Sequence, residues 1–302
     1  MKIIVTGSIG YIGKPLTEKL MEKGHTVTVI SNSPEKQTII ENLGAKVAIG
    51  TMDDVGFLNN TFSGADALYC MLAPYGNFAD PNNDANAIIK RADAYANNYL
   101  QAIEQSGIKR VVYLSSMGAD MKNEARLIVV HHNGEKTLST LSADVNISFI
   151  RPAGFYKNLF AYLHSVKKYD KISSGYGEGD VVVWVSNLDI ADAIVEELES
   201  KEMGRKIRYV ASDELSCDEA AHILGAAIGK PDLKWETISN DEELKGMMAH
   251  GMNESIAGKF VEMNASIHIG KFYKDYHHNK PAFGKVRMKD FAKEFARAYN
   301  QQ

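Results

Sequence analysis

Three glycines, Gly7, Gly10 and Gly13, stand in the run Thr6-Gly7-Ser8-Ile9-Gly10-Tyr11-Ile12-Gly13. The run follows an apolar β-branched segment and opens a helical one, and that context gives the spacing a chemical meaning. Gly7 permits a tight turn, Gly10 lets bare main chain approach a pyrophosphate, and Gly13 lets helix and strand pack closely. The free N–H groups and positive end of the helix that follows favour phosphate. A glycine-rich turn holding no ligand is the alternative, and the repeating strand–helix context weighs against it. Other reactive side chains are sparse. The pairs His131-His132 and His277-His278 lack Cys or acidic partners at ligand spacing, so no metal is expected. Cys70 sits in an apolar run and reads as an inert core thiol.

The elements that must position this turn repeat along the first half. Short apolar runs predict strands at Ile3–Thr6, Thr26–Ile30, Lys46–Ile49, Ala67–Met71, Arg110–Leu114 and Asn146–Arg151. Helices are predicted at about Tyr11–Lys23, Pro34–Leu43, Val55–Phe62, Asn86–Ser106 and Val129–Ser142, with Asp53 or Asp54 capping the third. Gly24, Gly44, Gly64 and Gly107 fall where left-handed residues close helices. Alternation on this scale means a parallel, doubly wound α/β sheet. The second half is less regular. Phe155–Lys168 reads as helix, Ser173–Gly179 as turn and Val181–Val185 as strand. Leu188–Ser200 follows as a helix capped by Asn187, Lys206–Ala211 as a strand returning to the main sheet, and Ser216–Ile228 as an amphipathic helix. The expected division is 1–152 for nucleotide binding and 153–302 mainly for substrate.

The chain has 302 residues, 45% of them hydrophobic, which suffices for a real core. With 34 Lys+Arg against 38 Asp+Glu there is no global field for nucleic acid or an anionic membrane, and neither partner is expected. The eight basic residues of His268–Gln302 are spread among three acids and read as a solvated helical face. Two cysteines make no disulfide scaffold, and no apolar run approaches the roughly 20 residues of a membrane span. A cytoplasmic protein is the expectation.

The Gly-x-x-Gly-x-x-Gly spacing resembles that of short-chain dehydrogenases/reductases, and further runs resemble their atypical, NmrA-like branch. These are Lys46–Met71, Ile108–Ser116, His131-His132-Asn133-Gly134-Glu135-Lys136, Ile150-Arg151-Pro152-Ala153-Gly154-Phe155-Tyr156-Lys157-Asn158-Leu159 and Asn187–Ala193. The resemblance covers about residues 1–235. It implies a Rossmann-type doubly wound sheet, a smaller mixed α/β C-terminal substrate region and a bound nicotinamide dinucleotide. Thr6, Gly7, Gly10, Tyr11, Ile12 and Gly13 would hold the pyrophosphate, and Ser31, Asn32 and Ser33 the adenosine ribose. Leu72, Ala73, Pro74, Ser115, Lys136 and Pro152 would lie along the cofactor toward the nicotinamide. No acid ends the second strand, and Lys36 is near, which favours NADP; NAD remains open.

Relatives that reduce carbonyls use Tyr-x-x-x-Lys and a Ser. Here His132 stands for the Tyr, Lys136 is kept, and Met117 stands near the Ser position. Three readings follow. The first is a reductase of a small conjugated acceptor such as a quinone, which needs no positioned acid because proximity suffices. The second is a non-catalytic NADP(H) redox sensor of NmrA type, with a protein partner. The third is a nucleotide-sugar epimerase or dehydratase, with His132 as acid/base. The substrate cleft would be lined by Tyr75, Met117, His132, Phe155, Tyr156 and Asn158, with Trp184 a further candidate.

Overall fold

The computed structural model describes residues 1–121 and 127–301. Its strands are β1 (Lys2–Val5), β2 (Thr26–Ser31), β3 (Lys46–Ile49), β4 (Ala67–Met71), β5 (Arg110–Leu114), β6 (Asn146–Pro152), β7 (Gly154–Phe155), β8 (Lys171–Ser174), β9 (Val181–Val185), β10 (Arg205–Val210), β11 (Asp213–Ser216) and β12 (Lys234–Thr237). Its α-helices are α1 (Gly13–Glu22), α2 (Gln37–Asn42), α3 (Val55–Phe62), α4 (Ala85–Ser106), α5 (Val129–Leu138), α6 (Leu163–Tyr169), α7 (Asn187–Glu199), α8 (Cys217–Ala227), α9 (Asn240–Ala249), α10 (Glu254–His268), α11 (Lys274–His278) and α12 (Met288–Gln301).

A parallel seven-stranded sheet in the order β10-β6-β5-β4-β1-β2-β3 forms the centre of the molecule. Its strands are apolar on both faces because both are covered. Ile3 and Val5 pack with Leu16 and Leu20 of α1, while Ile4 packs on the other side with Leu58 of α3 and Tyr99 of α4. Local chemistry sets the helix ends. The Asp54 carboxylate accepts from the Phe57 N–H at 2.9 Å to start α3, and Gly107 closes α4 at φ 78°. The expected return of the chain to the main sheet is β10, paired with β6 from Arg205↔Ile147 to Val210↔Pro152. The strand order reverses between β1 and β4, as in doubly wound folds.

Three local expectations need correction. Phe155–Lys168 is not one helix. Phe155 is extended and pairs with Val185, a 3₁₀ turn spans Tyr156–Tyr162, and α6 runs only from Leu163. Tertiary bonds override helical propensity there, since the Tyr156 hydroxyl donates to Asp213 at 2.5 Å. Ser173 and Ser174 belong to β8, which pairs with β12, so the turn begins after them. Ser186, not Asn187, caps α7, because its Oγ accepts from the Leu188 N–H while the Asn187 amide donates to the Tyr11 carbonyl at 2.7 Å.

The second half builds its own aromatic core on the carboxyl side of the sheet. Trp235 is fully buried against Tyr162, Tyr176 and Trp184. The basic C-terminal helix α12 turns Phe291 and Phe295 inward onto Phe160 and leaves Lys289 and Lys293 exposed.

Candidate functional site

The three glycines of the first loop answer three separate constraints. Gly7 has φ +83°, and a Cβ there would run into the Met71 thioether. A Cβ on Gly13 would collide with the Ser8 carbonyl, so Gly13 is where α1 packs against its own loop. A Cβ on Gly10 would meet nothing within 4 Å. The loop is anchored at both sides. Thr6 Oγ1 lies 3.1 Å from the Tyr99 hydroxyl and accepts from the Met71 N–H at 3.1 Å. Ser8 donates its N–H to the Ile30 carbonyl, and its Oγ donates to Ser31 Oγ at 3.0 Å. No side chain caps the start of α1 at Ile12. Open space over Gly10 and an uncapped helix N-terminus fit a pyrophosphate.

The Ser8–Ser31 bond puts the end of β2 beside this loop. Ser31 is buried, Asn32 exposed and Lys36 half-buried. Glu35 lies outside the strand end, where a hydrogen bond from Ser33 holds its carboxyl below the usual range. After β4, Leu72 and Pro74 are buried, and the Pro74 carbonyl accepts from Arg91, which also grips Asn83 at 3.1 Å.

A cavity of about 1050 Å³ opens beyond the carboxyl ends of β5 and β6. Tyr75, Met117, Pro152, Phe155, Asn158 and Trp184 line it. Tyr156 does not, because its ring stacks on Phe291 at 5.4 Å and its hydroxyl is spent on Asp213. His132 and Lys136 are not among the lining residues either. His132 Nδ1 is 2.8 Å from the Ala119 carbonyl, and Lys136 is exposed. The cavity instead receives His131, whose Nε2 is 3.2 Å from the Tyr75 hydroxyl. Burial pushes His131 down to about 4 and Tyr75 up to about 12. The pair is therefore neutral across the physiological range.

Helical geometry explains the exchange of neighbours. Val130, Gly134 and Leu138 are the buried stripe of α5. At about 100° per residue, His132 and Lys136 lie nearly opposite that stripe, while His131 and Glu135 adjoin it. The stripe was available in the sequence as the signal for His131. A buried network was not. Arg151 forks onto Glu135 at 2.9 and 2.7 Å, and its Nη1 reaches the Tyr209 hydroxyl at 3.0 Å and Asp275 at 3.1 Å. Ser115 is enclosed in it, donating to Glu135 at 2.5 Å. These bonds join α5, β6, β10 and α11.

Among the described residues no group of three His, Cys, Asp or Glu side chains could hold a metal, and no helix is long and apolar enough to cross a membrane. A doubly wound parallel sheet with a glycine-lined, uncapped helix start at its first turn defines a Rossmann-type nucleotide-binding protein. The sequence profile of the NAD(P)H-binding family matches residues 7–201, more than half of the chain, and the protein belongs to that family. Among curated relatives, the photosystem II assembly factor Ycf39 of Synechocystis is 23% identical over 208 residues. That match covers 68% of this chain and 61% of the relative. The NADPH-dependent quinone oxidoreductase of Escherichia coli, solved with NADPH, superposes with a TM-score of 0.80 at 17% identity, covering 97% of this chain and 99% of that one. The Citrobacter triphenylmethane reductase, solved with NADP(H), gives 0.77 at 22% identity, covering 98% and 100%. At these identities the solved structures establish a shared fold.

Proposed function

We propose that the protein is an NAD(P)H-dependent oxidoreductase that reduces a small, flat, conjugated acceptor of quinone type, with NADP(H) as the preferred cofactor. The observation that carries this reading is the cavity itself, roomy and largely apolar with several aromatic rings, in which the one His–Tyr pair among the described lining residues is neutral. The names of the two superposed reductases, one acting on quinones and one on triphenylmethane dyes, support it.

When bound, NADP(H) supplies a hydride. The chain's part is to hold the dinucleotide through the Gly7–Gly13 loop and to bring an acceptor against it. Met117, Pro152 and Phe155 form the wall nearest the sheet and keep a flat ring in place. A quinone that accepts hydride becomes an aromatic hydroquinone anion, so its proton can arrive later. Tyr75 and His131 offer a hydrogen-bonded route for that proton without a charged group. An aldehyde gives no such stabilised anion and needs its proton in step with the hydride, for which Tyr75, pushed up to about 12 by burial, is a weak donor.

The test is steady-state oxidation of NADPH by the purified chain with a panel of quinones, azo dyes and aldehydes. Quinones should turn over and aldehydes should not. Tight NADP(H) binding with no oxidation by any acceptor would indicate the sensor of NmrA type. Interconversion of a nucleotide-sugar would indicate the epimerase. The cofactor preference is tested separately. Lys36→Ala should weaken NADP binding more than NAD binding, and an equal effect on both removes Lys36 from the phosphate site.

A further inference from the structure

The far end of the cavity carries polar atoms that the hydride chemistry does not use. Glu243 of α9 is 5% exposed and lines the cavity. Its Oε1 accepts from the Gly175 N–H at 2.7 Å and from the Asn264 amide at 2.8 Å. Its Oε2 is buried and has no hydrogen-bond partner among the described residues. Trp184, which also lines the cavity, has a buried Nε1 in the same condition. Its neighbour Trp235 does not, since Trp235 Nε1 donates to Ser174 Oγ at 2.9 Å. Three of the buried unpaired side-chain atoms among the described residues, on His131, Trp184 and Glu243, belong to residues that line the cavity. A buried polar atom left without a partner is costly, and native proteins rarely leave one unless a ligand or water completes it.

We propose that the cavity selects acceptors bearing a hydroxyl group remote from the hydride-accepting carbon, and that this hydroxyl donates to Glu243 Oε2. The inference rests on the cavity being the acceptor site, as proposed above. Lys168 and Lys259 line the same cavity as Glu242 and Glu243, so the lining carries no net negative charge to select a cation, and a neutral hydroxyl donor suits it. Gly175 is part of the design. A Cβ there would come within 2.6 Å of Glu243 Oε2, so only a glycine lets the carboxyl lie along the main chain whose N–H it accepts. Trp184 Nε1–H, a donor only, complements an oxygen acceptor on the same ligand.

Titration calorimetry of 2-naphthol and of naphthalene into the full chain saturated with NADP⁺ at pH 8 tests the proposal. 2-Naphthol should bind about tenfold more tightly than naphthalene, the scale of one hydrogen bond to a buried charged group. Glu243→Gln keeps an oxygen for Gly175 and Asn264 but replaces the free acceptor by a donor, and should reduce the ratio to about twofold or less. Equal affinities in the wild type, or a ratio that survives Glu243→Gln in a folded variant, overturns it. Should that variant fold poorly, the wild-type ratio alone decides. No turnover enters the measurement, so failure to reduce quinones would overturn the proposed activity and leave the hydroxyl preference standing.

Discussion

At the scale of single residues, the first loop separates ligand binding from folding within one motif. A Cβ on Gly10 meets no protein atom, whereas one on Gly13 meets the Ser8 carbonyl. Gly10→Val should therefore leave the thermal midpoint of the free protein unaltered while lowering dinucleotide affinity by about tenfold or more, because the branched side chain occupies the space left for phosphate. Gly13→Ala should instead cost about 1–3 kcal/mol of stability by overpacking. Unchanged affinity in Gly10→Val, read by titration with NADPH, would remove the phosphate from this loop. His131 makes a pH-dependent contribution. Its folded pKa of about 4 lies below the 6.5 of an unperturbed histidine. Between those values the unfolded chain binds a proton that the folded chain does not, so stability falls as pH drops from 6.5 toward 4. The loss should be about 1–3 kcal/mol in urea unfolding. His131→Phe, which keeps an apolar ring there, should flatten that segment of the pH profile; an unaltered slope would assign the acid sensitivity elsewhere. The glycine spacing was legible in the sequence because a main-chain turn imposes it locally. The choice of His131 over His132 needed the facing of α5, which a Tyr-x-x-x-Lys register obscured by aligning on Lys136.

At the scale of elements, legibility follows how local the forces are. β1 to β6 could be read within a residue or two because strands covered on both faces must be apolar, and the helices between them end at Gly24, Gly44, Gly64 and Gly107, all at positive φ. The second half resisted reading because its short elements are fixed by partners far away in sequence. Tyr156 is held by Asp213, and the start of α12 by Asp213 accepting from the Met288 N–H at 2.6 Å. Asp189 of α7 shows how such a bond acts. It is buried, and it accepts from Ser212 Oγ at 2.6 Å and from the N–H groups of Lys285 and Val286 at 2.9 and 3.1 Å. One carboxylate thus staples the segment before α12 onto a helix of the central sheet. Asp189→Ala should cost about 2–4 kcal/mol, since three donors lose a buried charged acceptor together. The shift of the urea midpoint reads it directly, and a loss under about 0.5 kcal/mol, the level of an ordinary surface substitution, would show that the staple is dispensable.

At the scale of the whole molecule, the two halves of the chain are interleaved rather than strung together. The chain leaves the sheet after β6, builds β7 to β9, returns α7 onto α1 and adds β10 to the sheet edge beside β6. Arg151 then joins β6 to Tyr209 of β10 and to Asp275 of α11, so two neighbouring strands of the sheet and a C-terminal helix share one buried network. The proposed division at residue 152 would be one of role rather than of structure, since β10 on β6 and α7 on α1 pack across it and Tyr75, Met117 and His131 from before it line the cavity. Unfolding the second half alone would strip β10 from β6, uncover α1 where α7 lies and take Tyr209 and Asp275 from the Arg151 guanidinium, leaving it Glu135 alone. Losing a strand pairing, a helix contact and two bonds to a buried charge together couples the two halves strongly. Differential scanning calorimetry should accordingly show one cooperative transition, and NADPH at about 100 times its Kd should raise the stability of the entire chain by about 2.7 kcal/mol. Two resolved transitions, of which NADPH moves only one, would show instead that the acceptor half folds independently and that the shared network does not bind the halves into one unit.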